Sequence, residues 1–320
     1  MPGTVVSRAL QNAGIAHALS ETGSAKVAGS FVDEALASGV AAHVTLDWAS
    51  LPTAGVPQMW VGGMPRQANV VGRDGSDYVV DVGAPARLSA SALAGARAAA
   101  KKEKHRAYRF EPGPAAADPV EATRAAVRGT AQALLEAPFA NFASNFGLAA
   151  LEKQARLCAD PNDKRGWPRV FDTGPLACLA LVRTWEGLTL ELTAPAGSRQ
   201  LYADFLAEAA ALPGLVGLTD AADLARESAE LFARLTDDVV ATAPAVAEAV
   251  ALSERIDAVQ RSDASDGGAA VRELRAQREA VMQRCDLDAE ARGEAFARVG
   301  EAFTAIHAVE TQLQRALAAI

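Results

Sequence analysis

Cysteine and histidine, the residues around which small metal and nucleophilic sites are usually built, are scarce in this 320-residue chain. Its three cysteines, Cys158, Cys178 and Cys285, are odd in number, far apart and without a Cys-x-x-Cys spacing. That excludes a disulfide framework and a zinc knuckle and suits free thiols. The four histidines, His17, His43, His105 and His307, stand alone in separate segments, whereas a metal centre needs ligands at converging spacings such as His-x-x-x-His. Neither a metal nor a cofactor is expected. Phosphate-binding loops are missing too. "TGSAKVAGS" (22–30) lacks the Walker order, and "VGGMP" (61–65) has two glycines where a nucleotide fingerprint needs three at fixed spacing. Positive charge is not in excess: 31 Lys plus Arg against 39 Asp plus Glu give a net charge of −8 without a basic stripe, which argues against nucleic acid as a partner. No stretch holds 18 uninterrupted apolar residues, and "MPGTVVSRALQNAGIAH" lacks the basic-then-apolar order of a secretory signal. A cytoplasmic chain with no membrane partner is expected.

Two patterns of hydrophobicity are present. Residues 7–13 read as a short helix, "IAHAL" (15–19) as a strand, and Ser24 as the N-cap of a helix through Phe31 and Leu36. "AAHVTLDW" (41–48), "VPQMWVGG" (56–63), "RQANVVG" (66–72) and "DYVVDVG" (77–83) are short, Val-rich and punctuated by Gly, Pro and Asp, as strands are. Asp74-Gly75 between the last two predicts a tight hairpin. A helix over 90–102, capped by Ser89, follows, and "HRAYRF" (105–110) is expected to close an antiparallel sheet. Strand signal ends at "EPGPAAADP" (111–119), where Asp118-Pro119 is an N-cap with proline at the first helical position. The expected fold class is α+β, with a small antiparallel sheet domain over 1–113 and an all-α domain over 114–320.

The second part predicts helices near 119–137, 146–159, 174–192, 199–212, 220–241, 243–261, 269–284 and 289–318. In the last, Phe296, Val299, Phe303, Ile306, Leu313 and Leu317 share a face interrupted only by Glu310. Residues 269–284, with Val271, Leu274 and Val281, are the nearest candidates to cover it. With the polar turn 261–268 they suggest an antiparallel helical hairpin at the end of the domain. A homodimer interface is the second reading of that face.

Polar residues cluster in "NDKRGWP" (162–168). Asp163, Lys164, Arg165 and Trp167 could line a cleft between the domains, with Arg199 and Tyr202 of "SRQLYADF" (198–205) facing it. The structural reading of the same residues has Asp160 or Asn162 capping, Lys164 solvated, Trp167 plugging the core and Pro168 stopping a helix. Arg199 opens a helix against the dipole preference, which predicts an anionic partner. Glu152 and Arg156 are spaced as an intrahelical ion pair. Cys158 and Cys178 both look like small core residues.

"NFGLAALEKQARLCADPNDKRGWPRVF", which opens at Asn145, strongly resembles the helical domain of the butirosin biosynthesis protein H-like family. "SRQLYADFLAEAAAL" (198–212) and "LDAEARGEAFARVGEAFTAIHAVE" (287–310) resemble it in the same order, and "SETGSAKVAGSFVDEALASGVAAHVTLDWASLP" (20–52) is similar to its first part. The resemblance implies a papain-like or bacteriocin-peptidase-like domain, here truncated, and a role in moving an acyl or aminoacyl group from a carrier-protein thioester to an amine. It also implies a Cys near the N-terminus, a His beginning the strand that ends in Val-Val-Gly, and an Asp ending the next strand. Here the chain starts past the Cys, Pro65, Arg66 and Gln67 stand where the His belongs, and only Asp81 matches the third position. A carboxylate without nucleophile or base has nothing to orient, and Arg66 cannot replace the base because guanidinium stays protonated. The expectation is a degenerate family member acting as a binding or assembly partner of a carrier protein or another pathway protein, with an exposed sheet edge as one means of pairing. The alternative is an active transferase with a relocated nucleophile, Cys158, or with a site completed by a partner. The candidate residues are therefore Asp81 and Cys158 for catalysis and Asn145, Lys164, Trp167, Arg199 and Tyr202 for binding.

Overall fold

The computed structural model describes residues 2–51, 54, 61–81, 85–111, 113, 117–191, 196–261 and 267–320. The chain forms two compact units, one of residues 1–122 with 255–274 and one of residues 123–254 with 275–320. The division falls inside helices rather than at the Pro and Gly residues near 113. Residues 255–274 belong with the sheet unit, where Gln260 donates to the carbonyl of Ala54 at 2.7 Å.

The first unit runs α1 (Pro2–Ala13), β1 (His17–Ser20), α2 (Ala25–Ala37), β2 (Ala42–Asp47), β3 (Pro65–Asp74), β4 (Asp77–Asp81), β5 (Pro85–Leu88), α3 (Ala90–Ala99) and β6 (Ala107–Phe110). The strands make one open antiparallel sheet in the order β1-β6-β2-β3-β4-β5. Side-chain alternation along a strand sends Val44, Leu46, Ala68, Val70, Val80 and Ala107 to one face, where they pack with Val32 and Ala35 of α2 and Leu93 and Ala96 of α3. Both helices start at the serines the sequence marks: Ser24 accepts from the Val27 amide and Ser89 from the Ala92 amide. Gly75, at φ +60°, makes the two-residue turn between Asp74 and Asp77 that an L side chain would resist.

Two strand expectations change and one strand is added. "HRAYRF" does not close the sheet: β6 lies inside it, between β1 and β2. Of residues 56–63, 61–63 form a turn, with Gly62 at φ +88°, and 56–60 lie outside the described residues. The edge strand β5 carries no alternation strong enough to announce it.

The second unit holds the rest of α4 (Pro119–Leu135), then α5 (Gly147–Ala159), α6 (Trp167–Val170), α7 (Gly174–Thr189), α8 (Arg199–Ala209) and α9 (Leu218–Val240). Parts of α10 (Pro244–Arg261) and α11 (Gly267–Gln283) and all of α12 (Ala289–Ala318) complete it. Asp118 caps α4 through the Val120 amide at 2.7 Å. No described helix is long and apolar enough to cross a membrane.

α12 packs on α5 and α9, so its buried surface is wider than the stripe read from the sequence and takes in Gly300, Val309, Glu310 and Gln314. Gly300 is what lets α5 approach: a Cβ there would meet the Ala155 carbonyl oxygen at 3.0 Å and the Cys158 Cβ at 3.4 Å.

Glu310 is fully buried and cannot be left unpaired. Arg199 grips it with both ends of its fork, Nε at 2.5 Å and Nη2 at 2.8 Å, and Ser228 of α9 donates to it at 2.5 Å. Glu186 of α7 is met in the same way by Arg183, Arg278 and the Ser253 hydroxyl. Replacing Arg199 by Met strands a buried carboxylate, which costs about 3–5 kcal/mol. A clearly lower urea midpoint is expected for Arg199→Met, with most of the loss recovered in the Arg199→Met/Glu310→Leu double variant.

Candidate functional site

The face of the sheet opposite the apolar core is polar. Where β2 sends Ala42, Val44 and Leu46 inward, it presents His43, Thr45 and Asp47 on the other side. Strand register lines up Leu19, Tyr108, His43, Asn69 and Asp81 across β1, β6, β2, β3 and β4. In that row His43 Nδ1 lies 2.8 Å from Asn69 Oδ1. An amide oxygen only accepts, so Nδ1 carries the proton and Nε2 is the basic nitrogen. Nε2 is buried and has no hydrogen-bond partner among the described residues. The rings of Tyr108 and Phe110 stand at 6.2 and 6.1 Å from the imidazole, and the Tyr108 hydroxyl is held by Ser7 of α1 at 2.8 Å.

A histidine whose tautomer is set by an amide is two parts of a nucleophile–His–Asn device. The pair is not legible in the sequence, because the two residues come from different strands and meet only through the register of β2 and β3. The usable signal was His43 falling on the outward phase of a strand whose other phase is Ala, Val and Leu. Asp81 stands directly across from Asn69, exposed, at the end of β4, and Asn69 contacts the imidazole.

The positions where the resemblance implies a histidine are otherwise occupied. Pro65 pairs with Asp47 in the ladder, Arg66 lies 4.8 Å over the ring of Trp48, and Gln67 exchanges hydrogen bonds with Thr45. Asp47, fully buried, accepts from the Ser50 hydroxyl and the Met64 amide beside the end of β2 and the start of β3.

In the helical unit the candidate residues do not converge on one point. Cys158 is fully buried at the crossing of α5 and α12, and burial pushes its thiol up to about 12, opposed only by a hydrogen bond from Gln154. Cys178 is likewise raised to about 12, first by burial and then by the adjoining Cys285. These are the reverse of the electropositive, accessible surroundings that make a thiolate.

The Asp-rich loop that follows α5 is closed on itself. Asp160 Oδ1 accepts from the Asn162 and Asp163 amides. Asp163 takes the Arg165 amide and guanidinium and the Arg156 guanidinium at 2.9 Å, and these hold its carboxyl well below the usual carboxylate range. Arg156 thus reaches forward to Asp160 and Asp163 and not back to Glu152. Gly166 is indispensable to the turn, because a Cβ would sit 1.9 Å from the Asp160 carbonyl oxygen. Lys164 points to solvent. Trp167 packs edge-on between Phe171 at 5.5 Å and Phe296 at 5.3 Å, and Pro168 begins the short α6 instead of ending a helix.

Arg199 has the anionic partner its position calls for, but the partner is Glu310 of the same chain. Tyr202, one turn on, is half-buried beside Phe205; burial raises its phenol, opposed by Thr130. Asn145 is exposed and accepts from Lys153 Nζ at 2.5 Å. Cys158 meets α12 at Gly300 and Arg199 meets it at Glu310, about 15 Å apart along the axis. The described residues contain no group of three or more His, Cys, Asp or Glu placed to hold a metal ion.

Residues 91–265, more than half of the chain, match the model of a family described as a domain of unknown function, DUF4872. Comparison with the curated proteins finds no match. The geometry of the thiols makes its own prediction. In the folded protein none of the three cysteines should react with a colorimetric disulfide reagent over minutes at neutral pH, whereas all three should titrate in strong denaturant.

Proposed function

We propose that this chain, which belongs to the DUF4872 family, is a non-catalytic binding or assembly partner in a natural-product pathway, engaging a carrier protein or another pathway protein. The observation that carries this reading is the burial of Cys158, Cys178 and Cys285 together. Exchange of an acyl group between thioesters needs a thiolate, and a thiol pushed to about 12 is protonated at neutral pH. The resemblance to the butirosin biosynthesis protein H-like family supplies the pathway type, the carrier protein as partner and the papain-like ancestry of the sheet unit. A surface for docking is available within the helical unit. Leu135 is 63% exposed, Phe139 43% and Phe142 60%, all within one short stretch from the end of α4 towards α5. Large apolar side chains gathered in solvent are the usual material of a protein interface.

One observation favours a second reading, an acyl or aminoacyl transferase whose site is completed by a partner. His43 and Asn69 supply a base and an orienting amide, with Nε2 hydrogen-bonded to no described residue, and a partner whose binding opened the buried Nε2 could bring the missing nucleophile to it.

The two readings separate in a single experiment. The chain is incubated with acyl-pantetheine thioesters, alone and with an acylated carrier protein, and followed by intact-protein mass spectrometry and by binding titration. Carrier binding without any adduct is expected, weakened about tenfold or more when Leu135, Phe139 and Phe142 are all changed to Ser. An adduct lost in Cys158→Ala would overturn the proposal, and turnover with a partner that disappears in His43→Ala would establish the second reading.

A further inference from the structure

β3 outruns one of its neighbours. β4 pairs with it as far as Asp74, whereas β2 reaches only Val70, which pairs with Ala42. A bulge falls at the same point, between Val70 and Gly72, and Val71 is left 51% exposed. Bulges of this kind re-aim side chains and are common beside functional sites. Here the end of β3 faces α2 across a cleft of about 490 Å³, within the range of about 300–1,000 Å³ that small-ligand sites occupy. One wall is the side of the last turns of α2, with Asp33 and Leu36, continued by Val40; the other is Val71, Gly72 and Arg73. A Cβ added at Gly72 would meet nothing within 4 Å, so the backbone there borders open space.

The two charged residues of the cleft are held as a fixed pair. Arg73 Nη2 donates to Asp33 Oδ1 at 2.6 Å and to the Tyr78 hydroxyl at 2.7 Å, and that hydroxyl donates to the same Asp33 oxygen at 2.7 Å. The guanidinium also lies 4.1 Å from the centre of the Tyr78 ring, a cation–π contact that fixes it from its face. Desolvation works against the Asp33 charge, but the bonds from Arg73 and Tyr78 outweigh it and hold the carboxyl below its usual range. These contacts use one oxygen of the carboxylate and one nitrogen of the guanidinium. Asp33 Oδ2 and Arg73 Nε have no hydrogen bond to a described residue, and Nη1 has only the Ser76 carbonyl at 3.4 Å. Both side chains are open to water, at 49% and 40% exposure.

A free acceptor and free donors therefore stand side by side, already oriented, above apolar walls. A simple cation placed at Asp33 is repelled by Arg73, and a simple anion placed at Arg73 is repelled by Asp33. A zwitterion whose two charges are close together is met at both ends by charge-assisted hydrogen bonds. Leu36, Val40 and Val71 supply the apolar contact that such a ligand's side chain needs.

We propose that the cleft between α2 and the overhanging end of β3 binds a free α-amino acid with an apolar side chain, its ammonium on Asp33, its carboxylate on Arg73 and its side chain against Leu36, Val40 and Val71.

Calorimetric titration of the full chain with L-leucine tests this, beside leucinamide, which keeps only the ammonium, and N-acetyl-leucine, which keeps only the carboxylate. Saturable leucine binding with a Kd of about 1 mM or tighter is expected, with each analogue about tenfold weaker or more. Asp33→Asn and Arg73→Gln should each weaken leucine binding by about tenfold or more. Gly72→Leu should abolish it, because the new side chain enters the open cleft without meeting its walls at Cβ. Should a variant fail to fold, the comparison of leucine with its two analogues on the unaltered chain decides. The proposal fails if leucine, valine, methionine and phenylalanine all show no saturation below about 10 mM. It fails equally if either analogue binds as well as leucine, or if a folded Gly72→Leu variant binds leucine unchanged.

Discussion

Glu310 lies within the longest helix, with no exposure to water, and a carboxyl group is tolerated there only if the fold brings charge and hydrogen bonds to it. Meeting that demand organises the helical unit. Arg199 must open α8 at the level of Glu310, and Ser228 must face the same oxygen from α9, so the three helices have one permitted register. Glu186 keys α7 to α10 and α11 through Ser253 and Arg278. Buried pairs of this kind add little net stability, because desolvation consumes most of the attraction. Their effect here is to penalise every misaligned packing of helices whose apolar faces, rich in Ala, are otherwise interchangeable.

The sheet unit handles polarity differently. One face of the sheet is an ordinary apolar core against α2 and α3, and the reverse face collects His43, Thr45, Asp47, Gln67 and Asn69, which bond chiefly to one another and to the backbone. Satisfying polar groups in pairs across strands makes the second face rigid without apolar packing. It leaves His43 oriented and its Nε2 unengaged by the described residues, an arrangement shaped like part of a catalytic device. The cysteines are the opposite case: chemically capable residues that serve as small apolar filling at helix crossings, most clearly Cys158 against Gly300.

Local physics was legible. Ser24, Ser89 and Asp118 cap the helices that they mark, because a cap depends on a side chain and an amide two or three residues away. The Asp74-Gly75 hairpin and the α+β division rest on equally short-range causes. What could not be read were outcomes fixed by distant partners. α12 packs on α5 and α9, far from it in the chain, β6 enters the sheet rather than ending it, and Arg156 chooses Asp163 over Glu152. In each case several partners satisfy the same local chemistry, and only the geometry of the whole unit selects one.

The candidate residues divide along the same line. That Arg199 needed an anion followed from its place at the start of a helix, and that Cys158 sat on an apolar face followed from its neighbours. That the anion is Glu310, and that His43 meets Asn69, are facts of register between segments far apart in the chain. The sequence by itself determined the elements, their caps and their apolar faces, since those depend on contacts within a turn or two of backbone. Tertiary structure alone decided which buried charges found partners, which thiols lost access to water and which histidine was given an amide to orient it, since desolvation and pairing are properties of the packed unit rather than of any stretch of residues.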